Sequence, residues 1–117
     1  MTDPVSDAAR AAAERLTPDY GPGLAADVEA ALHARGSAQR PERYFDPISL
    51  GALIVSIATL AWTVYSDLRK KTSSPAPDVV ARTVRVELRK QAGDAAPPGQ
   101  ITEVVVTEVI KAARDAS

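Results

Sequence analysis

The chain of 117 residues contains no cysteine and one histidine, so it lacks side chains on which many active sites depend. Without cysteine it has no disulfide framework, no thiolate metal site and no cysteine nucleophile. One histidine cannot supply the imidazole cluster of a zinc site. We therefore predict that the protein is not an enzyme and that it has no catalytic residues, no metal site and no bound cofactor.

An excess of charge of one sign is also missing. The chain carries 14 Lys or Arg residues against 15 Asp or Glu residues, for a net charge of −1. Because proteins that bind nucleic acids normally show a strong basic excess, nucleic acid is not an expected partner. The length allows one small domain, or a few helices around a membrane segment.

The most informative segment runs from Ile48 to Ser66, with the sequence ISLGALIVSIATLAWTVYS. It contains no ionisable group except the Tyr65 phenol, and a helix of this length covers roughly the 30 Å hydrocarbon core of a bilayer. Asp46 and Pro47 form a helix start, and three cations follow the segment at residues 69–71. We predict that residues 46–71 form one long hydrophobic helix that spans the cell inner membrane once, with the lipid bilayer as partner.

The orientation of this span follows from the flanking cations. Within twenty residues, the N-terminal side carries Arg35, Arg40 and Arg43, whereas the C-terminal side carries five Lys or Arg residues. The positive-inside tendency therefore favours a cytoplasmic C-terminus.

A soluble alternative stays open for the same segment. Its Ser and Thr residues fall mostly on one side of a helix, opposite an apolar stripe, so residues 48–66 would also suit the central helix of a soluble bundle. The uncharged polar face favours the membrane interpretation. The small and hydroxylated residues would let another helix approach closely, and an aromatic residue would lie near the membrane interface. The residues assigned to membrane spanning or helix packing are Gly51, Ala52, Ser56, Thr59, Thr63 and Trp62.

The segment before the span, residues 1–45, is predicted to contain two short helices and a linker. The first, from Pro4 to Leu16, is rich in alanine and has only Val5 and Leu16 as large apolar residues, so it has little to bury. The second runs from Leu24 to Arg35 and ends at Gly36, a favourable C-terminal cap.

The segment after the span, residues 72–117, is predicted to form a helical hairpin, although its valine-rich parts also suit strands. Two such helices bury little apolar surface by themselves, so an exposed valine-rich face would need self-association or a protein partner. We assign this hairpin as the partner-binding module. Its partner-binding residues are Val80, Val84, Leu88, Ile101, Val105 and Val109.

Several charged residues in the chain have two interpretations. Arg82, Arg85, Arg89 and Lys90 form a basic stripe that would suit anionic lipid headgroups or a solvated face. Glu103 and Glu108 are predicted to be solvated, because their spacing does not bring them together on a helix.

Three phrases carry a resemblance to known proteins: DPISLGALIVSIATLAWTVYSDLRKK, then PAPDVVARTVRVELRK, then ITEVVVTEVIKAA. Between Asp46 and Ala113 the chain resembles small actinobacterial proteins with a single membrane helix that accompany conflict-system effectors. The resemblance implies an adaptor or membrane-tethering role and no site residues.

Three functions are therefore open. The first is a non-enzymatic, single-pass membrane anchor or adaptor that oligomerises or docks a cytosolic partner. The second is a soluble all-helical adaptor or regulatory subunit with residues 48–66 buried in a bundle. The third, less favoured, is a membrane-permeabilising effector whose Ser and Thr face lines a pore.

Overall fold

The structure is a computed structural model that describes residues 3–36, 50–72, 74–92 and 99–116. These residues form five helices: α1 (Pro4–Tyr20), α2 (Leu24–Gly36), α3 (Leu50–Arg69), α4 (Pro77–Ala92) and α5 (Gly99–Ala116). The described ranges contain no strand, so the predicted all-helical fold is confirmed, and both C-terminal segments are helices. The predicted helix start at Asp46 and Pro47, and the cations Arg40 and Arg43, lie outside the described residues.

Helix α1 begins where the sequence predicts and ends four residues later than predicted. The Asp3 carboxylate accepts a hydrogen bond from the backbone N–H of Val5 at 3.1 Å, and Pro4 occupies the first turn, where a missing N–H costs nothing. The helix continues past Pro18 to Tyr20. Gly21 caps its C-terminal end, with a φ of +99° that glycine adopts without strain.

Helix α3 lies at the centre of the fold and contacts α1, α2, α4 and α5. It is also long and apolar enough to cross a membrane, as the sequence of residues 48–66 predicts. Its buried residues are Gly51, Ile54, Val55, Ile57, Ala58, Ala61, Val64 and Tyr65. The hydrophobic segment therefore supplies the core against which the other helices pack.

Helix α1 contributes more to this core than its few large side chains suggested. Its buried residues are Val5, Ala8, Ala9, Ala12, Ala13 and Leu16, and α1 contacts α2, α3 and α5. Because alanine adds only a methyl group, an alanine face lets neighbouring helices approach closely and fill space without large side chains. The expectation that α1 has little to bury is therefore wrong, because it was based on the number of large apolar side chains and not on the packing of alanine.

Helices α4 and α5 contact each other, as the hairpin prediction requires, and both also contact α3. Helix α5 additionally packs against α1. The apolar faces of the hairpin are therefore covered by other parts of the same chain. Segments 1–45, 46–71 and 72–117 each contribute helices to one bundle.

Candidate functional site

The residues assigned to the hydrophobic helix are divided between the inside and the outside of the bundle. Thr59 and Thr63 are exposed, whereas Ala52, Ser56 and Trp62 are partly buried. Gly51 is buried at the contact with α2. The small and hydroxylated side of α3 thus faces partly outward, and its opposite side forms the core.

Gly51 allows α3 to approach the backbone of α2 closely. A methyl group built at Gly51 would overlap the backbone of Asp27 and would lie 2.6 Å from the backbone nitrogen of Val28. Backbone atoms cannot move aside as the end of a flexible side chain can, so glycine is needed here for helix packing within the chain. The small residues of the hydrophobic segment predict close helix approach at Gly51, and in the structure the approaching helix is α2.

The exposed hydroxyl groups of α3 donate hydrogen bonds within the helix. The Thr59 hydroxyl donates to the carbonyl oxygen of Val55 at 2.9 Å, and the Thr63 hydroxyl donates to that of Thr59 at 3.0 Å. Such bonds to the preceding turn use the hydroxyl hydrogen, so neither group donates to a neighbouring helix in this arrangement. Their oxygens still have acceptor capacity.

Trp62 lies at the edge of the core beside Tyr65. The two rings are stacked, with centroids 6.4 Å apart and an angle of 22° between their planes. Tyr65 is buried, and Trp62 is partly buried against the core cluster. In the bundle, Trp62 therefore supports the packing of the last turns of α3.

The six residues assigned to partner binding lie inside the bundle. Val80, Val84, Leu88, Ile101, Val105 and Val109 are each no more than 2 % exposed. The prediction treated the hairpin as if it stood alone, and so it left these side chains without an intramolecular partner. Helix α3 packs against both hairpin helices, so these residues could contact another protein only if the hairpin left the bundle.

An ion pair that the sequence pattern does not predict joins α1 to α5. Arg15 Nη1 lies 2.8 Å from Glu108 Oε2, and the Glu108 side chain is only 11 % exposed. The expectation that Glu108 is solvated is therefore wrong. A signal was present in the sequence, because Glu108 lies one turn after Val105 and next to Val109 on an otherwise apolar helix face.

Glu103, unlike Glu108, is solvated as the sequence predicts. Glu103 is exposed, and its Oε1 lies 3.7 Å from Nη1 of Arg85 on α4. A second exposed ion pair joins α1 to α2, where the Glu29 carboxylate accepts hydrogen bonds of 2.6 and 3.2 Å from Arg10. The hydrogen bonds from Arg10, together with its positive charge, lower the pKa of Glu29 below its ordinary value.

An open groove of about 300 Å³ runs between α1 and α5. It is lined by Pro4, Asp7, Ala8, Ala11, Glu108, Lys111, Ala112 and Asp115. The Glu108 carboxylate in this groove already pairs with Arg15. Among the described residues, no group of three or more His, Asp or Glu side chains is arranged to hold a metal ion.

The comparisons with known proteins add no relative. No family model, no curated protein and no solved structure matches the chain. The resemblance to actinobacterial proteins that accompany conflict-system effectors therefore stays a prediction.

Proposed function

We propose that the chain is a non-enzymatic helical adaptor that folds as a water-soluble bundle with α3 as its core helix. The observation that carries this proposal is the position of α3, which contacts each of the other four described helices. Ile54, Ile57, Ala58 and Ala61 of α3 are all 0 % exposed. In this arrangement, partners contact the outer faces of the helices.

Without α3, the other described helices would lose a neighbour against which their apolar faces pack. Val28 of α2, Val84 of α4 and Val105 of α5 are each fully buried. Exposing such a side chain to water costs about 1.5–3 kcal/mol, and several would be exposed together if α3 were withdrawn into a bilayer. The buried apolar residues of the described helices belong to one core cluster, so this loss would fall on the core that holds those helices together.

A second candidate function is the single-pass membrane anchor, which is favoured by the composition of α3. The helix has 20 residues and contains a window with a mean hydropathy of 1.4. In this candidate, α3 spans the inner membrane with a cytoplasmic C-terminus. The hairpin then docks a cytosolic partner or self-associates through its valine-rich residues, which are no longer covered by α3.

Neighbouring residues at the middle of α3 distinguish the two candidates. Ala58 is fully buried, whereas Thr59 is exposed, and both lie close to the midpoint of Leu50–Arg69. We would compare Ala58→Arg with Thr59→Arg in the full chain. In a bilayer, arginine at either central position costs about 2.5–3.5 kcal/mol of insertion free energy.

The soluble bundle predicts unequal results for these variants. Ala58→Arg places an unpaired charge in the core and should abolish cooperative unfolding in detergent-free buffer. Thr59→Arg should leave the helical circular dichroism intact and change the free energy of unfolding by no more than about 0.5 kcal/mol. Equal loss of membrane retention by both variants, with no soluble folded protein in either case, would instead establish the membrane anchor.

A further inference from the structure

The outward face of α4 alternates apolar and cationic residues, and it carries two of the three large hydrophobic side chains that are exposed among the described residues. Helix α4 contacts only α3 and α5 among the described helices, and it turns Val80, Val84 and Leu88 toward them. The opposite side carries Val79, Arg82, Val86 and Arg89 at spacings of three and four residues, with Lys90 beside them. Val79 is 40 % exposed and Val86 is 46 % exposed.

The charge of this region is opposite to that of the rest of the chain. Residues 67–90 contain seven Lys or Arg and three Asp or Glu, an excess of four positive charges. The remaining residues contain seven Lys or Arg and twelve Asp or Glu, an excess of five negative charges. The near-zero net charge is therefore the sum of a positive region at residues 67–90 and a negative remainder of the chain.

Most of these cations are not neutralised by described neighbours. Arg85 lies 3.7 Å from Glu103, and Lys90 lies 3.5 Å from Glu87. Arg82 and Arg89 are exposed and form no ion pair with a described carboxylate. The exposed cations at residues 69–71 continue the positive charge across the turn between α3 and α4.

We propose that the outward face of α4, together with residues 69–71, binds the surface of an anionic lipid bilayer. Each exposed Lys or Arg is attracted to the negative headgroups, and the two exposed valines can enter the boundary between headgroups and acyl chains. Nucleic acid is a weaker fit, because this face has no aromatic side chain on which a base could stack. The acidic remainder of the chain would turn away from the membrane.

This contact is peripheral and leaves α3 inside the bundle, so it goes beyond the proposed function. It also differs from insertion in its dependence on salt. Electrostatic attraction between exposed groups is screened at high ionic strength, whereas burial of a transmembrane helix is not.

The test is flotation of the purified full chain with vesicles of phosphatidylcholine and phosphatidylglycerol, and with vesicles of phosphatidylcholine alone. We expect binding to the anionic vesicles at low ionic strength and release at high ionic strength. The double variant Arg82→Gln/Arg89→Gln should bind about 25-fold more weakly, since each cation contributes about a fivefold factor. The control Lys111→Gln, which removes one cation at an exposed position of α5, should bind within about twofold of the unaltered chain rather than lose the fivefold factor expected of a cation on the binding face.

Three results would overturn the proposal. They are no binding to anionic vesicles, equal binding to neutral vesicles, and equal weakening by the α4 variant and the Lys111 control. Thermal unfolding monitored by circular dichroism establishes that each variant is folded. The proposed function survives any of these failures if the chain still unfolds cooperatively without detergent, because it rests on the packing of α3.

Discussion

Arg15 on α1 and Glu108 on α5 form an ion pair that ties the first helix of the chain to the last. Their closest atoms, Nη1 and Oε2, are 2.8 Å apart. The guanidinium group is half exposed, but the carboxylate is largely covered by the surrounding helices. A covered carboxylate needs its partner, since a buried charged group left without a hydrogen bond keeps the full cost of leaving water.

Replacing Arg15 with methionine should therefore destabilise the bundle. We expect a loss of roughly 1–3 kcal/mol in the free energy of unfolding, measured by urea denaturation. The matched control is Arg10→Met, which breaks the exposed pair with Glu29 and should cost less. Addition of Glu108→Gln to Arg15→Met should recover part of the loss by removing the unpaired charge. Equal losses for the two single variants would contradict this account of Glu108.

Replacing Gly51 with alanine tests the contact between α2 and α3. The added methyl group would overlap the backbone of α2, and such overpacking costs about 1–3 kcal/mol, against a gain of about 1 kcal/mol in helix propensity. We expect a net loss of thermal stability. Gly99→Ala is the control, because a methyl group there meets nothing within 4 Å. In a lone membrane helix, the added methyl group would meet no α2 backbone. Unchanged thermal stability of Gly51→Ala would therefore contradict the α2–α3 packing.

The Arg10–Glu29 pair predicts a dependence of stability on pH. Because its hydrogen bonds with Arg10 lower the pKa of Glu29 in the folded chain, the pair stabilises the fold fully above the pKa that Glu29 has when unfolded. This contribution declines as the pH falls and is lost below the lower, folded-state pKa. The pKa of Arg10 is raised by the same hydrogen bonds, so Arg10 stays protonated throughout this range.

The measurement is the difference in urea midpoint between the unaltered chain and Glu29→Gln, followed from neutral pH into acid. We expect the unaltered chain to be more stable at neutral pH and the difference to shrink as Glu29 is protonated. A difference that stays constant with pH would show that the carboxylate charge of Glu29 plays no part.

The sequence was a good guide to which segments are helical and a poor guide to what covers them. The apolar periodicity of Val80, Val84 and Leu88 correctly marked one helix face, because that pattern depends only on residues within the helix. The burial of this face against α3 depends on contacts between distant parts of the chain, which periodicity does not encode. The core role of Ala8 and Ala12 was hidden for the same reason, since alanine is favourable in helices whether buried or exposed.

Composition alone also left the role of α3 open. A helix packed against four others and a helix surrounded by lipid both need a long apolar sequence. Helix α3 meets that requirement, and 44 % of its most apolar 18 residues are buried in the bundle. Ala58 and Thr59 are both uncharged and adjacent, and only their places in the packed structure separate them. The ion pair between Arg15 and Glu108 could not be predicted without knowing that α1 lies beside α5. The position of Glu108 on an apolar helix face did indicate that its carboxylate would be buried.

The central claim is that α3 is covered by the chain's own helices rather than by lipid. The most direct measurement is fractionation of cells that express the full chain, followed by an alkaline carbonate wash of the membranes. We predict that the protein appears in the soluble fraction or is released from the membranes by the wash, as a peripheral protein would be. Retention in the washed membrane pellet would contradict this account and make α3 an integral membrane span.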